Sequence, residues 1–314
     1  MRLRNASRHL FHTGCVLLLI LGTNSCPRTG LGTTRETIDV DGTTRTYLLH
    51  RPPAAEKGEG LPLLIALHPF TGSGKSMERL TNFSAIADRE GFLVAYPDGK
   101  QRVWNSNPDA PSSIVGEPAD DVAFLSALID ELVDRHGADS ARVYITGASA
   151  GGLMAHRAAA ELTDKLAAAA SVMITLPKAF PDYVEPKAAL PFLMIHGKAD
   201  PFFPWEGGVV DEGPSRSNEY LSVADSLGYW INNNGASTDG VKEELDDTDP
   251  NDGTTVFRET YAAGDADAEV ILYGVRGGGH TWPGSNDIFP TFLVGKTCQD
   301  IDASEIIWDF FAQH

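Results

Sequence analysis

Gly147-Ala148-Ser149-Ala150-Gly151 is the stretch that organises this sequence. It fits the pattern G-x-S-x-G, in which a serine sits on a sharp turn between a strand and a helix. Both flanks are present. Arg142-Val143-Tyr144-Ile145-Thr146 is a β-branched and aromatic run that reads as a buried strand. Gly152 to Ala160 is rich in helix formers and reads as a helix. The turn between them holds a serine oxygen in an exposed, strained position. The helix N-terminus behind it favours negative charge. Ser149 is therefore read as a nucleophile, with a purely structural glycine turn as the plain alternative.

Working outward, the same grammar repeats. Thr37–Val40 and Thr44–Leu49 flank Asp41-Gly42, which predicts an antiparallel hairpin at a sheet edge. Pro62–Leu67, Phe92–Pro97 and Phe192–His196 are continuous apolar runs, as expected of strands buried on both faces. Helices are predicted around residues 83–90, from Asp120-Asp121 to about His136, over roughly 219–233 and over about 304–312. Asp120 and Asp121 read as caps of the second of these. Strands alternating with helices imply an α/β fold, a mostly parallel central sheet flanked by helices on both faces. Residues 36–314 read as one domain of this kind, after a short mobile leader at residues 26–35. The Pro-, Ser- and Asn-rich residues 98–118 form a long loop, and loops of that length in compact domains tend to be functional.

A serine is a weak nucleophile at neutral pH and needs a base and an orienting acid. With this type of turn the partners follow in the order Ser, Asp or Glu, His, on loops past strand ends. His196-Gly197-Lys198-Ala199-Asp200 follows a buried strand directly, which makes Asp200 the acid and Glu206 its fallback. Gly277-Gly278-Gly279-His280 follows the strand Val270–Tyr273, and its glycines permit a sharp bend. Of the nine histidines, His280 has the position and order of the base. His50, His136 and His314 read as solvated, His156 as packing, and His68 and His196 as bonded to backbone. An oxyanion hole needs backbone N–H donors. Ala150 supplies one. The loop His68–Gly74 should supply the other; Pro69 has no N–H, so Phe70 comes first and Thr71 second. Trp104, Trp205 and Trp282 lie in or beside the presumed site loops and are read as substrate-pocket residues.

The 314 residues are 42% hydrophobic and 22% charged, ordinary for a globular α/β core. The formal net charge of −18 argues against binding nucleic acid or anionic membrane. Arg2, Arg4 and Arg8 precede an apolar stretch, Gly14–Gly22, and small residues follow, so residues 1–25 read as an export signal. The apolar stretch is too short to span a bilayer. Cys26 occupies the place of a lipid-anchored cysteine, although Thr23-Asn24-Ser25 is a poor match to the usual context. Three cysteines give no disulfide framework, and Cys298 reads as a small packed residue. Asp246–Gly253 loosely resembles a calcium loop but lacks the required glutamate, and is read as a solvated turn. No metal or cofactor is expected.

The chain resembles the polyhydroxybutyrate depolymerase and feruloyl esterase family of secreted α/β-hydrolases. The resemblance rests on Leu67-His68 with its glycine-rich sequel, Ala95-Tyr96-Pro97-Asp98-Gly99, Trp104-Asn105 and Asp120–Leu125. It extends through Arg142–Gly147, His196–Asp200, Gly277–Gly284 and Ile301–Phe311, and so covers residues 36–314. It implies the α/β-hydrolase fold and a triad of Ser149, Asp200 and His280. Two positions depart from the family pattern. Pro69 stands where glycine usually follows the loop histidine, and Ala150 stands where Asn or Gln often follows the serine. The expected function is that of an exported serine carboxylic ester hydrolase acting on feruloyl, acetyl or hydroxyalkanoate esters, small or oligomeric. The alternative is a non-catalytic, surface-anchored binding protein on the same fold.

Overall fold

The computed structural model of the chain describes residues 31–58, 60–107, 119–213, 216–286 and 289–314. The expected export signal, Cys26 and residues 108–118 of the expected long loop lie outside the described residues. The predicted hairpin forms from β1 (Gly32–Val40) and β2 (Thr43–Arg51). Its turn puts Asp41 at φ 49° and Gly42 at φ 75°, the double left-handed conformation that Asp-Gly tolerates. After β3 (Leu61–Leu67) come α1 (Gly74–Thr81) and α2 (Phe83–Glu90), then β4 (Leu93–Pro97). The centre of the chain follows as α3 (Asp121–His136), β5 (Ala138–Ala148), α4 (Ala150–Glu161) and β6 (Ala168–Val172). A short α5 (Phe180–Tyr183), β7 (Phe192–Gly197) and a ribbon of β8 (Gly208–Gly213) with β9 (Arg216–Tyr220) lead to α6 (Val223–Asn234). The chain closes with β10 (Val241–Glu244), β11 (Thr255–Tyr261), β12 (Val270–Arg276), α7 (Thr291–Val294) and α8 (Ala303–Phe311).

Ten strands make one sheet in the order β1-β2-β4-β3-β5-β6-β7-β12-β11-β10. The six from β4 to β12 are parallel, and the two edges are antiparallel. Apolar runs such as β3 and β7 are buried from both faces because helices cover both. Leu63, Ile65 and Leu67 pack on one side with α3, α4 and α6; Leu64 and Ala66 pack on the other with α2 and α8. This arrangement brings the C-terminal ends of β3, β5, β7 and β12 to one rim of the sheet, where open α/β sheets bind ligands.

Several expectations need correction. The leader ends earlier than residue 35: β1 starts at Gly32, which pairs with Arg51. The helix expected from residue 219 starts at Val223, because Arg216–Tyr220 pairs with β8 and Tyr220 bridges to Pro177. α1, a helix not among those expected, follows directly on the His68–Gly74 loop, where Ser73 and Ser76 form a reciprocal capping box. β6 is an alanine-rich central strand that local propensity does not announce. His50 is buried, with its ring between the Thr33 hydroxyl and Asp88.

Candidate active site

At the elbow, Ser149 adopts φ 52° and ψ −119°, outside the ordinary regions for a side chain. Close packing of the turn holds it there. The Ser149 N–H donates to the Val172 carbonyl at 2.9 Å, and the Ser149 carbonyl accepts the Leu153 N–H at 2.9 Å. A Cβ at Gly147 would overlap the backbone of Gly151, and one at Gly151 would overlap the carbonyls of Leu67 and His68. Both motif glycines are therefore required by close approach of backbone to backbone.

β7 and β12 are neighbouring parallel strands, so the loops that leave them are laced together. The Ala199 N–H donates to the Gly278 carbonyl at 2.8 Å, and the Lys198 N–H to the Val275 carbonyl at 2.8 Å. The result is a hydrogen bond of 2.8 Å between His280 Nδ1 and Asp200 Oδ2. The other Asp200 oxygen accepts the N–H groups of Phe202 and Phe203 at 2.8 and 2.9 Å, which fixes the carboxylate. Asp200 is buried, while His280 keeps an exposed edge. The His280 main chain is pinned in turn: its N–H donates to the Val294 carbonyl at 2.6 Å, and the Gly279 N–H to the Lys296 carbonyl at 2.9 Å. Glu206 is exposed and does not take part. His196 lies behind the acid, its Nε2 donating to the Phe203 carbonyl at 2.9 Å and 3.9 Å from Asp200 Oδ2. Burial pushes its pKa down, so it stays neutral.

Ser149 and His280 face the same cavity, of about 1280 Å³, together with Ala150 and Phe70. The structure separates the two candidates for the second backbone donor. The Thr71 N–H is taken by the Arg102 carbonyl at 3.0 Å. The N–H groups of Ala150 and Phe70 have no acceptor among the described residues.

The three tryptophans part company. Trp104 lines the cavity, although its Nε1–H is committed to the His68 carbonyl at 2.9 Å. Trp282 touches the cavity but is 1% exposed, with its Nε1–H on the Ser304 hydroxyl and its ring edge-on to Phe83. Trp205 does not line the cavity at all. It packs between His196, Phe257 and the Lys198 ammonium, behind the acid loop. The exposed apolar side chains at the mouth are Phe70, Phe202, Phe289 and Leu293, none of them singled out in the sequence except Phe70. An exposed phenylalanine in a loop carries no periodic signal to find it by.

Asp252, Cys298 and Asp300 gather within 4.8 Å of one another. Their carboxylates act as turn latches. Asp252 accepts the N–H groups of Thr254 and Gln299, and Asp300 those of Thr248 and Asp249. Cys298 is buried, which raises its thiol pKa.

Comparison with known proteins identifies the fold and the family. The family described as "Esterase PHB depolymerase" matches residues 45–176. "Putative esterase NocK" of Nocardia uniformis subsp. tsuyamanensis is 35% identical over 287 residues, which is 88% of this chain and 82% of that protein. "Feruloyl esterase B" of Piromyces equi is 28% identical over 242 residues, covering 75% of this chain but only 42% of the fungal protein. The solved acetyl xylan esterase from Aspergillus awamori shares the fold, with TM-score 0.55 at 17% identity over 79% of this chain and 94% of its own. The molecule is a carboxylic ester hydrolase built on the α/β-hydrolase fold. Within that class, the chain belongs to the polyhydroxybutyrate depolymerase and feruloyl esterase family. No helix among the described residues is long and apolar enough to cross a membrane.

Proposed function

We propose that this protein is an exported serine esterase in which Ser149, His280 and Asp200 form the catalytic triad. The observation that carries the reading is the 2.8 Å bond between His280 Nδ1 and Asp200 Oδ2, at a cavity that the strained Ser149 turn also faces. Ser149 attacks the ester carbonyl while His280 Nε2 takes its proton and then returns it to the leaving alcohol. Asp200 holds the tautomer with the proton on Nδ1 and stabilises the imidazolium. The N–H groups of Ala150 and Phe70 receive the oxygen of the tetrahedral intermediate. Water then attacks the acyl-enzyme by the same path in reverse, releasing the acid.

The substrates proposed are feruloyl, acetyl or hydroxyalkanoate esters. The apolar mouth formed by Phe70, Phe202, Phe289 and Leu293 suits an aromatic or aliphatic acyl group. The cavity is also lined by Lys178, Asp182, Asn218 and Glu219, which suits a polar, hydroxylated partner. Export is supported by the basic and apolar pattern of residues 1–25.

The test is acid release from methyl ferulate and from a hydroxybutyrate trimer, with Ser149→Ala as the blank. The wild type should turn over at least one of them, and Ser149→Ala should lower kcat by about 10⁵ or more. A fluorophosphonate probe should label the wild type and spare Ser149→Ala. Activity retained in Ser149→Ala would overturn the assignment. A wild type that neither reacts with the probe nor releases acid would instead support a non-catalytic binding protein.

A further inference from the structure

Residues 68–72, which carry the Phe70 amide, are gripped from outside by residues 99–104. His68 makes three bonds. Its Nε2 accepts the Gly99 N–H at 3.0 Å, so Nδ1 carries the ring proton and donates it to the Pro69 carbonyl at 2.8 Å. Its own carbonyl accepts the Trp104 indole N–H at 2.9 Å. Two residues on, the Thr71 N–H donates to the Arg102 carbonyl at 3.0 Å. The Arg102 Nε–H donates back to the Gly72 carbonyl at 2.9 Å. The carbonyls of His68, Pro69 and Gly72 and the Thr71 N–H are thereby occupied, and the Phe70 N–H is left for the cavity.

The gripping segment is unusual in its own right. Gln101 and Arg102 both lie in the left-handed region, at φ 54° and 67°, and Thr71 joins them at φ 58°. Non-glycine residues hold that conformation only where their surroundings over-determine it. Here the segment is bolted from behind. Asp121 Oδ2 accepts the Asn105 N–H at 2.7 Å, and Arg157 Nη1 donates to the Asn105 carbonyl at 2.7 Å. Asp121 and Arg157 are both buried.

We infer that Trp104 and Arg102 are positioning residues that hold the Phe70 amide where the negative oxygen of the tetrahedral intermediate develops. This rests on the serine-esterase reading above. Oxyanion donors act on the transition state alone, so their value depends on placement before reaction begins, and a small displacement is costly. On this view the Trp104 ring borders the cavity because its indole N–H must reach the His68 carbonyl, and not because it binds substrate.

The experiment uses Trp104→Phe, which keeps an aromatic ring but removes the donor, and Arg102→Ala, which removes the bond to Gly72. Turnover of 4-nitrophenyl acetate and inhibition by phenylboronic acid are measured for each, with labelling of Ser149 by the fluorophosphonate probe as a check on the wild-type site. Each variant should lose about tenfold in kcat, the worth of one hydrogen bond, with KM within about twofold of wild type. The inhibition constant of the boronate, whose tetrahedral adduct occupies the oxyanion site, should rise by the same factor. A rise in KM with kcat retained would overturn the inference and make Trp104 a substrate wall. Unchanged kcat and unchanged boronate affinity would overturn it as well. Arg102 lies at the surface, so Arg102→Ala decides the matter even if Trp104→Phe does not fold. Wild-type turnover that does not depend on Ser149 would instead remove the underlying esterase reading, and the labelling check distinguishes that case.

Discussion

Asp120 and Asp121 are neighbours that look interchangeable in the sequence, yet their removal should differ several-fold in cost. Asp120 is exposed and caps α3 by accepting the Ala123 N–H at 2.9 Å. Losing such a cap costs about 1 kcal/mol. Asp121 is 1% exposed, and its Oδ1 lies 2.7 Å from Nη2 of Arg45, itself 5% exposed. Its other oxygen accepts the Asn105 N–H. In Asp121→Ala the Arg45 guanidinium remains buried, and among the described residues it keeps only the Asp98 carbonyl at 3.3 Å and the Phe124 ring 3.8 Å beneath it. Stripping one partner from a buried ion pair costs about 3–5 kcal/mol, because the remaining charge has no water to return to. That is a large part of the roughly 5–15 kcal/mol that holds a typical domain folded. Urea unfolding followed by tryptophan fluorescence at neutral pH measures both variants directly. The double variant Arg45→Met/Asp121→Leu should regain most of the loss, since an apolar pair leaves no buried charge. A loss below about 1.5 kcal/mol in Asp121→Ala, comparable to Asp120→Ala, would refute the claim that this pair is shielded from solvent.

Two further outcomes follow from the same structure. Asp200→Asn should keep the loop geometry but present an N–H to His280 Nδ1, reversing the tautomer and lowering kcat by about 10⁴ with little change in unfolding midpoint; kcat within tenfold of wild type would exclude Asp200 as the acid. His156 is fully buried, accepts the Trp230 indole N–H at 2.8 Å on Nδ1, and has its pKa lowered by burial to about 3. Between that value and the ordinary histidine value near 6.5 the unfolded chain binds one more proton than the folded one at this site. Stability therefore falls as the pH drops below about 6.5, by about 1.4 kcal/mol per unit from His156 alone, and buried His196 is shifted in the same direction. Urea unfolding free energies from pH 7 to pH 5 should show a shallower decline in His156→Phe, and identical slopes would disprove the assignment.

The site was legible where chemistry and local structure coincide in a few consecutive residues. Ser149, Asp200 and His280 each stand on a loop that directly follows an apolar run, so strand, turn and reactive side chain are written together. What stayed hidden depends on distant parts of the chain. β6 is Ala168-Ala169-Ala170-Ser171-Val172, and by propensity such a run favours a helix. It is a strand because β5 and β7 pair with both its edges, and because α4 packs so close that a Cβ at Gly152 would crowd the Val172 carbonyl. Small residues are demanded by the packing and carry no β signal of their own. Trp205 was misplaced for the opposite reason. Eight residues past the end of β7 the loop has already turned, and the ring packs on His196 and Lys198 without lining the cavity. The left-handed pair Gln101-Arg102 leaves no trace in the sequence at all, since neither residue favours that conformation. Its conformation is imposed by partners 30 residues before it, in the oxyanion loop, and by Asp121 and Arg157 behind Asn105. The residues proposed to react can therefore be read from short motifs. The residues proposed to aim the oxyanion donor become visible only once the chain is folded, because that role is defined entirely by contacts between segments.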